Sequence, residues 1–582
     1  MIRSLAVALL LAGAATPPFA QDDPLAPLPT ETEDQAPPEP DVQPLQPVTP
    51  AQPVTRPVVV PKDWRGVFAA IRAGDWASAQ AGINSLPDDL LKPVARAELY
   101  TARNSPRVEL QAVLNLLGEA PDLPKAGQLL RIALARGAAE AELPAVPAAR
   151  RMVPLASAPR RHRARPVAGD AAADALRLAL EPLVKADAAE QAEALYLQAA
   201  PTLSPEGRAE AAQRVAWIYY VLGRDADARR VAETATEGGA GEWVGHANWI
   251  AGLASWRLDD CNAAARHFRA VASDRVESEL LAAGAYWAAR AEQACRRPQA
   301  VEPLLKAAAR SPESFYGLLA RETLGMDKSL TGGRLPAPGR IENLPNVRRA
   351  LRLVEVGEYR LADEVLRHQA AIGPASDHLA LIALTKRLDF ASAQYWLAHN
   401  GPSGSRVPAE ARFPFPRWQP PSGWRIDPAL AFAHARQESD FRAGAVSQAG
   451  AVGLMQVRPG TAGDFARGRG TAVGELTHPP TNLEYGQSFI ELMRSKAETQ
   501  GQLLKVIAAY NAGPLPVARW NYINAKGDPL LWIESLPYWE TRYYVPAILR
   551  NLWVYQQIEG SPQPSLKAVA QHHWPEFPVK RR

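Results

Sequence analysis

Trp217-Ile218-Tyr219-Tyr220-Val221-Leu222-Gly223-Arg224-Asp225-Ala226-Asp227-Ala228 decides the fold class. A run of large rings closes on a Gly-Arg turn and is followed by alanines at alternate positions. That is how two helices joined by a tight turn read, with small residues letting the partners approach and aromatics filling the groove between neighbours. The pattern returns downstream. Trp249, Gly252 and Trp256 lead through Asp259-Asp260 to Ala264 and Phe268. Glu358-Tyr359-Arg360-Leu361-Ala362 and Leu388-Asp389-Phe390-Ala391-Ser392-Ala393 repeat the turn and the start of a second helix. The spacing is irregular, so the match to a tetratricopeptide period is loose. The reading is nevertheless mainly α, with an α-solenoid, a superhelix of helical hairpins, over residues 63–400. Alanine-rich composition with few β-branched residues agrees. Met152 to Pro166 is basic and aperiodic and reads as a loop.

Outward from the solenoid, residues 401–423 are rich in Pro and Gly and read as a linker, with a further domain at 424–582. On the other side, Asp22 to Lys62 is rich in proline and acid. Residues 21–62 carry seven acids against two bases and read as a disordered tether. Arg3, the apolar run Leu5 to Ala15 and the small residues before Gln21 read as a signal peptide, residues 1–20, cut after Ala20. The expected location is therefore the periplasm, with no integral membrane segment after cleavage. No Cys follows the apolar run, so no lipid attachment is expected there.

The net charge is +4, which leaves about +8 on the body once the acidic tether and Arg3 are set aside. A mildly basic body suits a polyanionic partner, but no nucleic-acid motif or dense basic run is present, so nucleic acid is excluded as a partner. The two cysteines, Cys261 and Cys295, stand about one repeat apart. Export would permit a disulfide, but equivalent positions on stacked helices are often too distant to bridge, and the spacing leaves the question open. So few soft ligands argue against a metal site.

Asp427-Pro428 is a helix start, with aspartate at the N-cap and proline at the first helical position. The helix runs from Ala429 to Glu438, and Gly444 marks the loop beyond. Ala431, Ala435 and Glu438 share a face. A carboxyl on an apolar face is costly to ionise and has a raised pKa, as a proton-donating glutamate needs. Spacing alone favours a solvated helix-end residue. The surrounding blocks weigh against that. Glu438-Ser439, Ser447-Gln448-Ala449-Gly450-Ala451-Val452-Gly453-Leu454-Met455-Gln456, Pro459-Gly460-Thr461-Ala462, Asn482-Leu483 with Gly486, Ala508-Ala509-Tyr510-Asn511-Ala512-Gly513-Pro514, and Glu534-Ser535-Leu536-Pro537 with Glu540-Thr541-Arg542-Tyr543-Tyr544-Val545 follow in order. Together they resemble the soluble lytic murein transglycosylase family, whose catalytic domain is like goose-type lysozyme. Upstream, Ser314-Phe315-Tyr316-Gly317-Leu318-Leu319-Ala320 resembles a segment of its large members, whose helical domain is a doughnut-like superhelix.

The resemblance implies Glu438 as the acid/base, with Ser447 and Gln456 bonding the substrate, Tyr510 and Asn511 lining the cleft, and Tyr544 positioning Glu438. Asn511 could equally hold a turn, and Ser447 a loop. Two departures stand out. Arg458 occupies a place where the family usually has methionine, which would make an apolar wall of the sugar cleft cationic. Pro514-Leu515-Pro516 replaces the usual Pro-Gly-Arg. The implied substrate is the peptidoglycan glycan strand, and the implied reaction is water-free cleavage between N-acetylmuramic acid and N-acetylglucosamine to a 1,6-anhydromuramyl end. No metal or cofactor is expected. Cell-wall synthesis or division proteins are possible partners of the helical domain. The rival reading is a lysozyme-like hydrolase, which needs a second carboxylate to activate water; Asp440, the nearest acid in sequence, is two residues along the helix and points away from Glu438, which disfavours it. A non-catalytic peptidoglycan-binding scaffold is the other.

Overall fold

The computed structural model describes residues 57–155, 161, 163–273, 276–327 and 333–578. The expected signal peptide and most of the expected tether lie outside them. The tether's last residues are placed: Val59 donates its backbone N–H to Ser78 Oγ at 3.0 Å, which lays the chain on the first hairpin. The described residues form twenty-six α-helices and two short strands, Val153–Pro154 and Asn400–Gly401, paired antiparallel. No helix among them is long and apolar enough to cross a membrane.

The quoted repeats are helical hairpins. Gly223 (φ 74°) joins helix Pro205–Val221 to Asp225–Gly238, and Asp259 (φ 59°) joins Glu242–Arg257 to Cys261–Ser273. Gly357 (φ 83°) and Asp389 (φ 59°) do the same for the two later pairs. One left-handed residue after a helix end turns the chain back while the preceding carbonyls keep a donor. Alanine and glycine between the rings allow close packing. A Cβ on Gly252 would stand 2.5 Å from the Phe268 ring, and Trp249 meets that ring edge-on, with centroids 5.4 Å apart. Cys261 and Cys295, which their spacing alone does not pair, have Cα atoms 5.5 Å apart and form a disulfide. It can form because Cys261 opens one helix while Cys295 caps the end of the next, Ser278–Ala294, so the two helix ends meet.

The apolar interior divides differently from the chain. One core joins helices of residues 64–138 to those of 341–411, and a second joins residues 164–320 to residues 391–577. The two ends of the helical run therefore meet. Asn346 Nδ2 donates to the Asp122 carbonyl at 2.7 Å, and Arg349 pairs with the Asp122 carboxylate, also at 2.7 Å. Arg150 donates to the Ala371 and Gly373 carbonyls. The superhelix closes on itself, and its middle is continuous with the C-terminal domain.

Residues 401–423 are packed along this seam. Ala409, Ala411 and Phe413 are buried, Gln394 Nε2 donates to the Ala411 carbonyl at 3.0 Å, and Arg412 pairs with Glu313. Proline and glycine here shape an irregular path whose backbone finds fixed partners. The region around Met152 to Pro166 also departs from a plain loop, since it contributes the strand Val153–Pro154 and sends Arg161 into the interior.

Candidate active site

The helix that carries Glu438 spans Pro428–Ser439. Asp427 accepts from Ala429 N at 2.9 Å, so the start is the expected cap. The end falls where expected, just past Glu438: Asp440 (φ 52°) and Phe441 (φ 63°) are both left-handed, and the chain turns away directly after Ser439. Ser439 Oγ donates to the Leu454 carbonyl at 2.8 Å and to that of Ala435, tying this helix end to the following loop.

Ala431 and Ala435 are buried beneath Glu438, which is itself only partly exposed. Burial pushes its carboxyl up to about 7, the Tyr544 hydrogen bond pulls the other way, and the charge of Glu540 adds to the rise. Tyr544 donates its hydroxyl to Glu438 Oε1. Burial raises the hydroxyl pKa of both Tyr510 and Tyr544, and the Glu438 charge adds to it. Both rings therefore stay protonated donors beside the carboxyl. His434, one helical turn before Glu438, lies 4.6 Å from the Tyr510 ring and 6.0 Å from that of Tyr544. Burial lowers its pKa to about 4, so it is a neutral spacer between the two tyrosines. Its Nδ1 donates to the Leu430 carbonyl at 2.9 Å.

Tyr510 reaches the other wall, donating to the Met455 carbonyl at 2.7 Å. That wall is the loop from Val446 to Val457, held by bridges of Val452 to Val446 and Val457. Asn482, fully buried, pins it. Its Oδ1 accepts from Met455 N at 2.8 Å, and its Nδ2 donates to the Val452 and Leu476 carbonyls, both at 2.9 Å. Two glycines allow the fit: a Cβ on Gly453 (φ 81°) would stand 2.3 Å from Asn482 Nδ2, and one on Gly486 would stand 2.1 Å from Met455 Sδ.

Ser447 Oγ accepts from Ala451 N at 3.0 Å, so the side chain shapes the loop and keeps its hydroxyl proton to donate. Gln456 (φ 48°) donates its amide to the Gly453 carbonyl at 2.9 Å, which leaves its Oε1 without a bonded partner among the described residues. Asn511 belongs to the frame: its Oδ1 accepts from Thr541 Oγ1 at 2.6 Å and its Nδ2 donates to Glu540 Oε1 at 3.3 Å. Arg458 is exposed at the N-cap of helix Pro459–Gly468, makes no capping bond, and is joined to none of these residues by a bond among those described. Despite the altered sequence, Pro514-Leu515-Pro516 opens a short helix, Pro514–Trp520.

Residue spacing missed His434, although it stands four before Glu438 on the same face. It also missed Glu540. Asp440 is nearer in sequence, yet Glu540, from the start of helix Trp539–Ile558, is the carboxylate whose charge bears on Glu438. A cavity of about 250 Å³ lies alongside, lined by Gln437, Glu540, Tyr543 and Tyr544 and, from the superhelix, by Arg161, Glu279 and Tyr316. Away from the site, ligand atoms of Glu242, His246 and Glu277 lie within 4.8 Å of one another. Both of those carboxylates also engage other groups, and the cluster reads as ion pairing.

A closed helical superhelix that shares a core with a lysozyme-like domain, with one carboxyl of raised pKa at a helix end in that domain, defines the architectural class. Residues 419–533 match the family described as Transglycosylase SLT domain. The Soluble lytic murein transglycosylase of Escherichia coli (strain K12) is 34% identical over 174 residues, which cover 28% of this chain and 26% of that protein. The Endo-type membrane-bound lytic murein transglycosylase A of Klebsiella pneumoniae (strain 342) is 33% identical over 106 residues, 16% of this chain and 51% of that one. The match thus spans about a quarter of the length of the first of these relatives. An inactive mutant of the Pseudomonas aeruginosa lytic transglycosylase Slt shares the fold over 88% of each chain, with a TM-score of 0.53 at 19% identity. A 70-kDa soluble lytic transglycosylase in complex with bulgecin A gives 0.52 at 16% identity, covering 88% of this chain and 98% of that one.

Proposed function

We propose that this protein is a peptidoglycan lytic transglycosylase that works in the periplasm with Glu438 as its acid/base. The observation that carries the reading is the Glu438 carboxyl. It lies at a helix end in the domain that matches the transglycosylase family, and burial pushes it up to about 7. At neutral pH a large fraction is protonated and can donate to the glycosidic oxygen between N-acetylmuramic acid and N-acetylglucosamine. The N-acetyl oxygen of the muramic residue supports the positive charge that develops at C1. The Glu438 carboxylate then takes the proton of the C6 hydroxyl, and O6 closes on C1. The C1–O4 bond is broken and a C1–O6 bond made, the proton is returned, and no water is consumed. Tyr544 holds the carboxyl through this cycle. Ser447 and Gln456, with one donor and one acceptor left, are the substrate-bonding candidates. Arg458 is a candidate contact at the cleft's edge, and Asn511 acts through the frame. The formed disulfide fits an oxidising compartment.

Glu540 is the observation that favours the rival, because a hydrolase needs a second carboxylate to activate water. Its Oε1 accepts from Asn511, which fits a structural role better. Digestion of purified peptidoglycan with the wild type and Glu438→Gln, weighed by mass spectrometry, decides. Anhydro-ended products from the wild type alone are expected. Products heavier by one water would make the enzyme a hydrolase, and no product from either protein would leave a binding scaffold.

A further inference from the structure

Two motifs noted separately in the sequence meet in the interior. Tyr316, from the Ser314-Phe315-Tyr316-Gly317 segment of the superhelix, donates its hydroxyl to Glu534 Oε1 at 2.7 Å. Glu534 opens the block that leads to Tyr544 and has no exposed surface. Arg161 Nη1 reaches both Glu534 oxygens, at 2.8 and 2.7 Å. The Tyr316 hydroxyl in turn accepts from Trp287 Nε1 at 2.9 Å. The next residue, Ser535, meets the Tyr220 hydroxyl at 2.9 Å. Tyr220, Trp287, Tyr316 and Arg161 all belong to the superhelical side; the first three are buried, and the Arg161 side chain is only 8% exposed.

A buried ion pair is poor at adding stability, since desolvation offsets the attraction; its best-attested use is to fix one register among several. An apolar contact would hold the two parts together equally well. The feature in need of a fixed register is the helix that follows, Trp539–Ile558. Between Glu534 and that helix the chain is short, and each step is tied. Arg542 donates to the Leu536 carbonyl at 2.8 Å and lies 3.7 Å over the Trp217 ring of the superhelix. Arg161 also lies 5.4 Å over the Tyr543 ring. Tyr544, next in line, bonds Glu438. At the far end of the same helix, Phe315 stacks on Trp553 with centroids 5.2 Å apart.

We infer that Tyr316 and Arg161 of the superhelix, acting on Glu534, are positioning residues that set Tyr544 against Glu438, so that the helical ring is part of the catalytic apparatus. This rests on the proposed role of Glu438. The charged and titratable groups facing Glu438 are Tyr544 and Glu540 from helix Trp539–Ile558, Tyr510 from helix Leu503–Ala512 and neutral His434 on its own helix. Those facing Glu534 are Arg161, Tyr316, Tyr220 and Arg542. Loosening the clamp leaves burial around Glu438 in place and weakens the one bond that lowers its pKa.

The test is a double-mutant cycle on the full chain, with kcat and KM on soluble glycan strands followed across pH for wild type, Tyr316→Phe, Tyr544→Phe and the pair. Tyr316→Phe removes one hydroxyl. It is expected to lower kcat about three- to tenfold with KM within about twofold, and to move the alkaline limb to higher pH. In the Tyr544→Phe background it should cost nothing further. An equal loss in both backgrounds, or wild-type kcat and limb in Tyr316→Phe, overturns the inference. Glu534→Gln gives a second route should Tyr316→Phe fold poorly. A readout without turnover keeps the two readings apart. The melting difference between each protein and its Glu438→Gln partner levels off near the Glu438 pKa, and that pH should rise in Tyr316→Phe. A wild type that releases no product sinks the proposed function while this shift still decides the clamp, and an unmoved plateau sinks the clamp alone.

Discussion

A carboxyl pushed up to about 7 from its ordinary value of 4.5 binds a proton more tightly in the folded chain than in the unfolded one. Its contribution is fully favourable below pH 4.5 and is lost as pH rises through 7. Replacing Glu438 by Gln, which never ionises, should therefore leave the melting temperature unchanged near pH 4 and raise it above pH 7, where the gain in stability is on the order of 3 kcal/mol. Thermal melts across pH check this, and a Glu438→Gln protein less stable at pH 8 would mean the carboxylate is well solvated. Turnover has the same origin and the opposite interest: the acid form works, so kcat/KM should fall about tenfold per pH unit above roughly 7. Tyr544→Phe removes the bond that lowers this pKa. Its activity should drop, yet its alkaline limb should lie at higher pH than that of the wild type, and a limb that moves down would reverse the role given to Tyr544. The helix that carries Glu438 was legible because it is local, with a cap, a proline and an apolar face written within twelve residues; the role given to Glu438 came from the resemblance of the blocks around it. Glu540 and His434 were harder. Glu540 comes from a hundred residues away, and His434 sits at the right spacing but has the look of an ordinary core histidine.

The loop facing Glu438 depends on one side chain, the Asn482 carboxamide, which satisfies three backbone groups at once. Asn482→Ala strands one buried N–H and two carbonyls, and should cost on the order of 2–4 kcal/mol. Activity should fall more than the loss in melting temperature implies, because Met455, the partner of Tyr510, is released. An Asn482→Ala enzyme of unchanged kcat would mean the loop keeps its shape unaided. The disulfide acts on two helices of the superhelix. Closing a segment of 34 residues is worth about 3–4 kcal/mol in the chain-entropy account, so reduction, or Cys261→Ser with Cys295→Ser, should lower the melting temperature while glycan cleavage at 25 °C persists. The hairpins could be read in sequence because Gly223, Asp259, Gly357 and Asp389 punctuate them. The disulfide could not, because its geometry depends on how far one hairpin slides past the next. Nor could Arg161, whose partner Glu534 is far along the chain and whose own surroundings are basic and aperiodic.

For the molecule as a whole, the closure of the superhelix was written in no local pattern, and the Ser314–Ala320 resemblance to ring-forming relatives did not show it. It joins residues 64–138 to residues 341–411, and no local pattern reports a contact over more than two hundred positions. The same holds for the packing of 401–423, where Pro and Gly mark a linker but do not report what it packs against. Closure has two components of unequal worth. Ion pairs such as Arg352 with Asp89 and Arg72 with Glu358 span it, but the arginines are well exposed, and such pairs contribute about 0–1 kcal/mol each. The apolar component runs through Val347, Ala350 and Leu353 on one side and Val113, Leu116 and Leu117 on the other, all buried in one core. Salt separates the two. At 1 M NaCl the Debye length shrinks to about 3 Å, which silences exposed pairs, while burial of apolar surface is not screened. The radius of gyration by small-angle scattering should therefore be unchanged between 0.1 and about 1 M NaCl. Leu353→Asp, which places a charge in that shared core, should open the ring and enlarge the particle at any salt. A radius that grows with salt in the wild type would mean the ring is held by its charges, and the shared core would then be a consequence of closure rather than its cause.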